Sequence, residues 1–190
     1  MCSSDLFFLF GARDVWFVVA LPVFLHQTLE WNFWQVGGYL AAWIIIYGAI
    51  QAVAPTLTGT YKTLEAARAQ LVLFGGLLVL IPAGIALALT RDFSVVYVVT
   101  IGLMLFALLF AMNSALHSFL IVRYARADGA SLDIGFYYMA NAGGRLAGTV
   151  ASGALFQVFG LDACLWVSAL MIAFASITAL SLPQEETGTA

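Results

Sequence analysis

The sequence predicts an all-α membrane protein, one bundle of six transmembrane helices over residues 6–183. Three observations predict it. The chain has 190 residues, of which 63% are hydrophobic and only 9% charged. Soluble domains carry about 25% charged residues. Six stretches approach or exceed the roughly 20 apolar residues that cross a bilayer: 6–25, 35–57, 66–89, 93–122, 132–159 and 161–182. None shows the strict alternation of a barrel strand, so the backbone must satisfy its polar groups inside helices.

The first span follows Asp5 and not a basic region, and it contains Arg13 and Asp14. That pattern excludes a secretory signal. Residues 1–5 (MCSSD) read as a short polar leader, abruptly joined. The second span carries Tyr47 and Gln51 at i, i+4, and the third holds Gly75–Gly76 as a packing feature. Asn113 and His117 repeat the i, i+4 spacing in the fourth, beside Ser114 and Ser118. The fifth is richest in small residues, and the sixth holds Cys164 and Trp166. Pro22, Pro55 and Pro82 are each expected to interrupt a span, because proline removes a backbone donor and bends a helix. The links are short, and Gly160 alone separates the last two spans, which forces sequential antiparallel helices.

Basic residues set the expected orientation. Lys62, Arg68, Arg123 and Arg126 fall at one face, and Arg91 falls in a loop at the other. The positive-inside rule places the first group, and both termini, in the cytoplasm. Residues 184–190 form a cytoplasmic tail.

Charges inside an apolar span are costly, roughly 3 kcal/mol each on insertion scales, and mark functional positions. Arg145 lies amid Gly143, Gly144 and Gly148. Tyr138, Asn141, Arg145, Thr149 and Ser152 recur at spacings of three and four, which puts them on one helical face. That face is expected to line a substrate cavity. The alternative is a polar seam with Arg145 neutralised by a carboxylate. Gly144 and Gly148 on the adjacent face permit close helix approach.

Arg13 is about 10 Å deep at 1.5 Å per residue. Arg13 and Asp14 point about 100° apart, so each is expected to find its partner on another helix. Asp14 could pair with Arg145, or Arg13 could join Arg145 as a clamp for a phosphate or carboxylate. The alternative is a static ion pair. His117 could relay protons or simply bond to a neighbouring helix.

Cys2 and Cys164 are far apart, so neither a disulfide nor a metal site is expected. No nucleophile–base pair, phosphate loop or basic run points to an enzyme, a bound cofactor or a nucleic-acid partner.

Six proline-bent spans with a glycine-rich fifth helix resemble the second half of a major facilitator superfamily transporter. The strings FFLFGARDVWFVVALPVFL (7–25), QVGGYLAAWIIIYGAIQAVAP (35–55), MNSALHSFLIVRYA (112–125) and YYMANAGGRLAGTVASGALFQVFG (137–160) are similar to the organoarsenical efflux permeases of the ArsJ type. The resemblance runs from Phe7 to about Leu182. It implies a bacterial inner-membrane antiporter that works beside a glyceraldehyde-3-phosphate dehydrogenase. That enzyme makes 1-arseno-3-phosphoglycerate, and expelling it gives arsenate resistance. It further implies Arg13 and Arg145 as anion-binding residues, with Tyr138 and Asn141 as cavity hydrogen bonders. Asp14 and His117 would be charge partners or proton-coupling groups. A full member has about twelve spans, so an N-terminal six-helix half is the expected partner, and the chain reads as a truncated gene or fragment. Its second connection, TGTYKTLEAAR (58–68), lacks the basic Gly-Asp-Arg loop of many superfamily members. The other readings are a generic exporter of another anion or drug, and a non-transporting six-helix membrane protein.

Overall fold

The computed structural model describes residues 4–58, 63–91, 93–124 and 130–181, and these are helical with no strand among them. In chain order the helices are α1 (Ser4–Phe17), α2 (Ala20–Thr28), α3 (Phe33–Thr58), α4 (Leu64–Leu89), α5 (Val95–Tyr124) and α6 (Ala130–Leu180). Cys2, Lys62, Arg126 and the tail lie outside the described residues.

Five helices are long and apolar enough to cross a membrane, where the sequence suggests six: Ser4–Thr28, Phe33–Thr56, Leu64–Leu89, Val95–Tyr124 and Ser131–Leu180. The difference lies at Gly160. It is the single non-helical residue inside α6, at φ 79° and ψ −172°, a region that side chains with a Cβ avoid. Helix continues directly on both sides. The element is nevertheless folded back on itself. Cys164 Sγ lies 3.8 Å from the Ser152 carbonyl oxygen, whereas twelve residues of straight helix span about 18 Å. α6 is therefore a hairpin with limbs over 130–159 and 161–180.

The prolines act unequally. In an unbroken helix the Pro22 ring would clash with the carbonyl of Val18, four residues back, and the helix breaks at Val18–Val19 to give α1 and α2. Ser152 Oγ accepts the freed Ala20 N–H at 3.0 Å. Pro55 and Pro82 were expected to interrupt their spans, yet they sit inside continuous helices α3 and α4. The ends are capped locally. Asn32 and Gln35 exchange side-chain and backbone bonds of 2.8 and 3.0 Å before α3, a capping box. Thr63 caps α4 through Ala66 N–H at 3.2 Å.

α6 packs chiefly on α1 and α4, and α5 packs on α4 and α3. Lipid tails are as apolar as leucine, so burial alone does not drive helices together in a bilayer; close packing and interhelical hydrogen bonds do. Both are present. Gly144 lies against the Phe7 carbonyl, and a Cβ at Gly148 would come within 2.5 Å of the Gly11 carbonyl. Phe7 faces Gly144 and Gly11 faces Gly148, so α1 and the first limb run parallel. A Cβ at Gly11 would also meet Met171 of the second limb at 2.6 Å. α1 thus rests against both limbs of the hairpin.

Polar bonds tie the remaining helices. Trp43 Nε1 donates to the Leu103 carbonyl at 2.8 Å, and Asn113 Nδ2 donates to the Leu71 carbonyl at 3.1 Å. Gln51 Nε2 reaches Ser114 Oγ at 3.3 Å, and Arg68 caps the Leu180 carbonyl. An aromatic centre of Trp16, Trp43, Phe106 and Phe110 is fully buried. Phe106 meets Trp16 edge-on at 5.0 Å and stacks on Phe110 at 5.3 Å. Large apolar side chains such as Ile45, Leu80, Leu146 and Ile177 face outward.

Three substitutions separate space from backbone conformation. Gly144→Ala is expected to cost about 3 kcal/mol, because the obstacle is backbone. Gly143→Ala meets only the Phe7 ring at 3.7 Å and should cost less than about 0.5 kcal/mol. Gly160→Ala has open space around it, and should still cost about 1–3 kcal/mol through its positive φ. Unfolding of the three variants in one detergent checks the order.

Candidate functional site

The close approach of α1 and α6 creates the site. Gly144 seats the first limb on Phe7, and its neighbour Arg145 reaches along α1 to Asp14. Arg145 Nε donates to Asp14 Oδ2 at 3.0 Å. The other oxygen, Oδ1, accepts from Arg13 Nε at 2.6 Å. Adjacent residues were expected to look elsewhere for partners. Instead the long Arg13 side chain folds back onto its neighbour, which Asp14 permits because a carboxylate offers two oxygens on different sides.

The three groups differ in exposure. Asp14 is buried at 2% side-chain exposure, Arg13 is nearly so at 13%, and Arg145 is open at 56%. The Arg13 guanidinium lies over two rings, Phe10 at 5.8 Å and Phe110 at 5.6 Å, a cation–π arrangement. Two cations share one anion, so the group keeps one net positive charge. Each arginine spends Nε on Asp14. Their terminal amines make no hydrogen bond among the described residues, and those amines are the planar fork that binds carboxylate or phosphate.

Tyr47 lies within electrostatic reach of both arginines, and its hydroxyl interacts with Ser114. Its ring stacks on Trp43 at 5.6 Å and meets Phe110 at 5.8 Å. α3 and α5 therefore supply a polar flank.

The expected polar face of the fifth span is divided. Ser152 is buried and committed to the α2 cap, Asn141 and Thr149 are half-buried, and Tyr138 is 68% exposed. Asn141 lies one turn from Arg145 on the same limb. Tyr138 and Asn141 make no hydrogen bond among the described residues. The face was expected to line a cavity; in this chain it is an open surface. The apolar grooves lie elsewhere, between α4 and α5 beside Gly84 and Gly102, and between α2 and α3 beside Pro22 and Val36.

His117 stands apart from the arginines. It is buried about two turns along α5 from Phe110, and its Nε2 faces Asp5 Oδ2 at 3.6 Å. Sequence reasoning missed Asp5. Assigned to a leader, it lies in the first turn of α1 and is 1% exposed. An acidic residue opening an apolar helix was the available signal. His26 is exposed, and its Nδ1 lies 2.8 Å from the Trp31 carbonyl oxygen. Among the described residues no group of three His, Cys, Asp or Glu side chains could hold a metal.

Comparison of the chain with protein-family models, with curated proteins and with solved structures returned no match. The site is therefore read from its own geometry.

Asp14→Ala leaves two arginines without their shared counter-ion in an apolar surround, and should cost about 3 kcal/mol. Arg145→Ala removes an exposed partner and should cost about 1 kcal/mol or less. Chemical unfolding in detergent gives the two values, and the reverse ranking would mean that Asp14 is not the anchor of the group.

Proposed function

We propose that the chain is one six-helix half of a major facilitator exporter, with the limbs of α6 counted as separate spans. Its cargo is a small phosphate-bearing organic anion, 1-arseno-3-phosphoglycerate. The observation that carries the reading is the Arg13–Asp14–Arg145 group. It sets two guanidinium groups around one carboxylate, Arg145 on an open face and Arg13 nearly buried beneath it, with one surplus positive charge in an otherwise apolar bundle. Such a group attracts an anion, and the bidentate geometry favours phosphate and carboxylate over halide.

Each residue then has a task. Arg13 and Arg145 hold the anion. Asp14 fixes both guanidinium planes before the anion arrives, so that less ordering accompanies binding. Asn141 and Tyr138 offer hydrogen bonds from the same limb. A companion N-terminal half closes the face into a midplane cavity, and the halves rock to alternate access. Asp14 and His117 are the groups available for proton coupling. The termini lie in the cytoplasm of a bacterial inner membrane, with Lys62, Arg68, Arg123 and Arg126 on that side. A glyceraldehyde-3-phosphate dehydrogenase supplies the cargo. The same group would equally serve an exporter of another organic anion.

The test is arsenate survival of a sensitive bacterium expressing the gene in its full natural extent together with the dehydrogenase. Arg145→Ala, at unchanged membrane abundance, should lower protection about tenfold or more, as losing about 1.4 kcal/mol of anion binding implies. Protection unchanged by Arg145→Ala would remove the arginine from the cargo site. No protection from the intact gene would exclude the arsenylated cargo and leave the export of another anion.

A further inference from the structure

A second buried group joins the start of α1 to the end of α5. His117 Nδ1 lies 3.0 Å from the Asn113 carbonyl oxygen. A carbonyl oxygen can only accept, so Nδ1 carries the hydrogen. In a neutral ring the other nitrogen, Nε2, is then a bare lone pair. It faces Asp5 Oδ2 at 3.6 Å, with side-chain exposures of 4% and 1%. An ionised carboxylate is also only an acceptor. Among the described residues neither atom has a hydrogen-bond partner, and nor does the buried Asn113 Oδ1. Asn113 keeps one amide N–H on the Leu71 carbonyl, and neither Nε2 nor Oδ2 receives the other. Buried acceptors facing one another with nothing to donate are an unfavourable arrangement, and one added proton relieves it.

We propose that Asp5 and His117 form a one-proton binding site. The proton comes from a hydronium ion of the bulk solvent, whose O–H bond breaks to leave water, and enters between Oδ2 and Nε2, so that Nε2–H donates to the carboxylate. The pair becomes an imidazolium–carboxylate, its net charge rises by one, and no bond within the protein is broken. Uptake ties α1 to α5, and release returns two facing acceptors that loosen the contact.

Among the described residues the surrounding charges do not supply the missing hydrogen. On α4, Arg68 donates to the Leu180 carbonyl of α6. On α5, Arg123 is exposed. On α1, the next charge is Arg13, held by Asp14. From α6 come Tyr137, buried with Leu6 and Ile121, and the half-buried Asp133 one turn earlier; neither is a hydrogen-bond partner of Oδ2 or Nε2. Nor is Tyr124 at the end of α5. The site stands on this geometry alone. Only its use, as the entry point of proton coupling on the two helices that also carry Arg13 and Phe110, rests on the transport reading.

The test reads the proton at both ends. The protein is placed in lipid nanodiscs at about pH 7.5 with 15N-labelled histidine and 13C-labelled aspartate. The chain has two histidines, and His26→Gln assigns the signals. The expected result is a His117 ring with both N–H groups, reduced to Nδ1–H alone in Asp5→Asn, whose amide donates to Nε2 instead. A neutral ring accepting from a protonated Asp5 carboxyl holds the same proton at the other end and also supports the site. A neutral ring beside an ionised Asp5 overturns it, as does a doubly protonated ring that persists in Asp5→Asn. These outcomes are independent of arsenate survival, so failure of this site and failure of the export reading are distinguishable.

Discussion

The contact between two helix backbones at Gly11, Gly144 and Gly148 governs the rest of the molecule. Inside a bilayer, helices gain little from hiding leucine, so the distance of closest approach decides which pairs hold. Here the first limb of α6 lies directly on the backbone of α1, and the second limb reaches the same place through Met171. One helix is clasped by a hairpin. Because the contact fixes α1 and the first limb in parallel register, it also decides which side chains meet beyond the glycines.

Arg145 and Asp14 are the first consequence. A charge within an apolar span is costly alone, and the carboxylate of Asp14 is buried at 2% exposure. The glycine contact brings them together at 3.0 Å, and Arg13 completes the set from the neighbouring position. The result is stable in the sense that every charge has a partner, yet unbalanced, because two cations share one anion. Static ion pairs have no need of a surplus charge on an open face. That imbalance, more than the presence of charge, is what the proposed anion-handling role rests on.

The hairpin turn and the helix break show two ways a bilayer chain changes direction. At Gly160 a single residue of positive φ suffices, with helix running to it from both sides. At Pro22 the helix breaks, and the orphaned Ala20 N–H is met by Ser152 of another element. Unsatisfied backbone cannot face lipid, so the break depends on α6 being in place. Pro55 and Pro82 break nothing. A proline states where a donor is missing, and tertiary surroundings decide whether the helix yields.

Much of this was legible in the chain itself. Apolar stretches of bilayer length dictate helices, because no other structure satisfies the backbone in lipid, and the spacing of Gly144, Arg145 and Gly148 marks a tight face beside a charge. Local pattern does not reach across helices. It could not reveal that Arg13 folds back onto Asp14, that Ser152 leaves its expected face to cap α2, or that Tyr138 stands exposed while Asp5 is buried against His117. Each of these depends on which helix lies opposite and in what register. The sequence by itself determined a membrane-length helical protein with charges it could not leave unpaired. Only the tertiary structure chose the partners, because a pair forms where two backbones come close enough, and that distance is set by residues far apart in the chain.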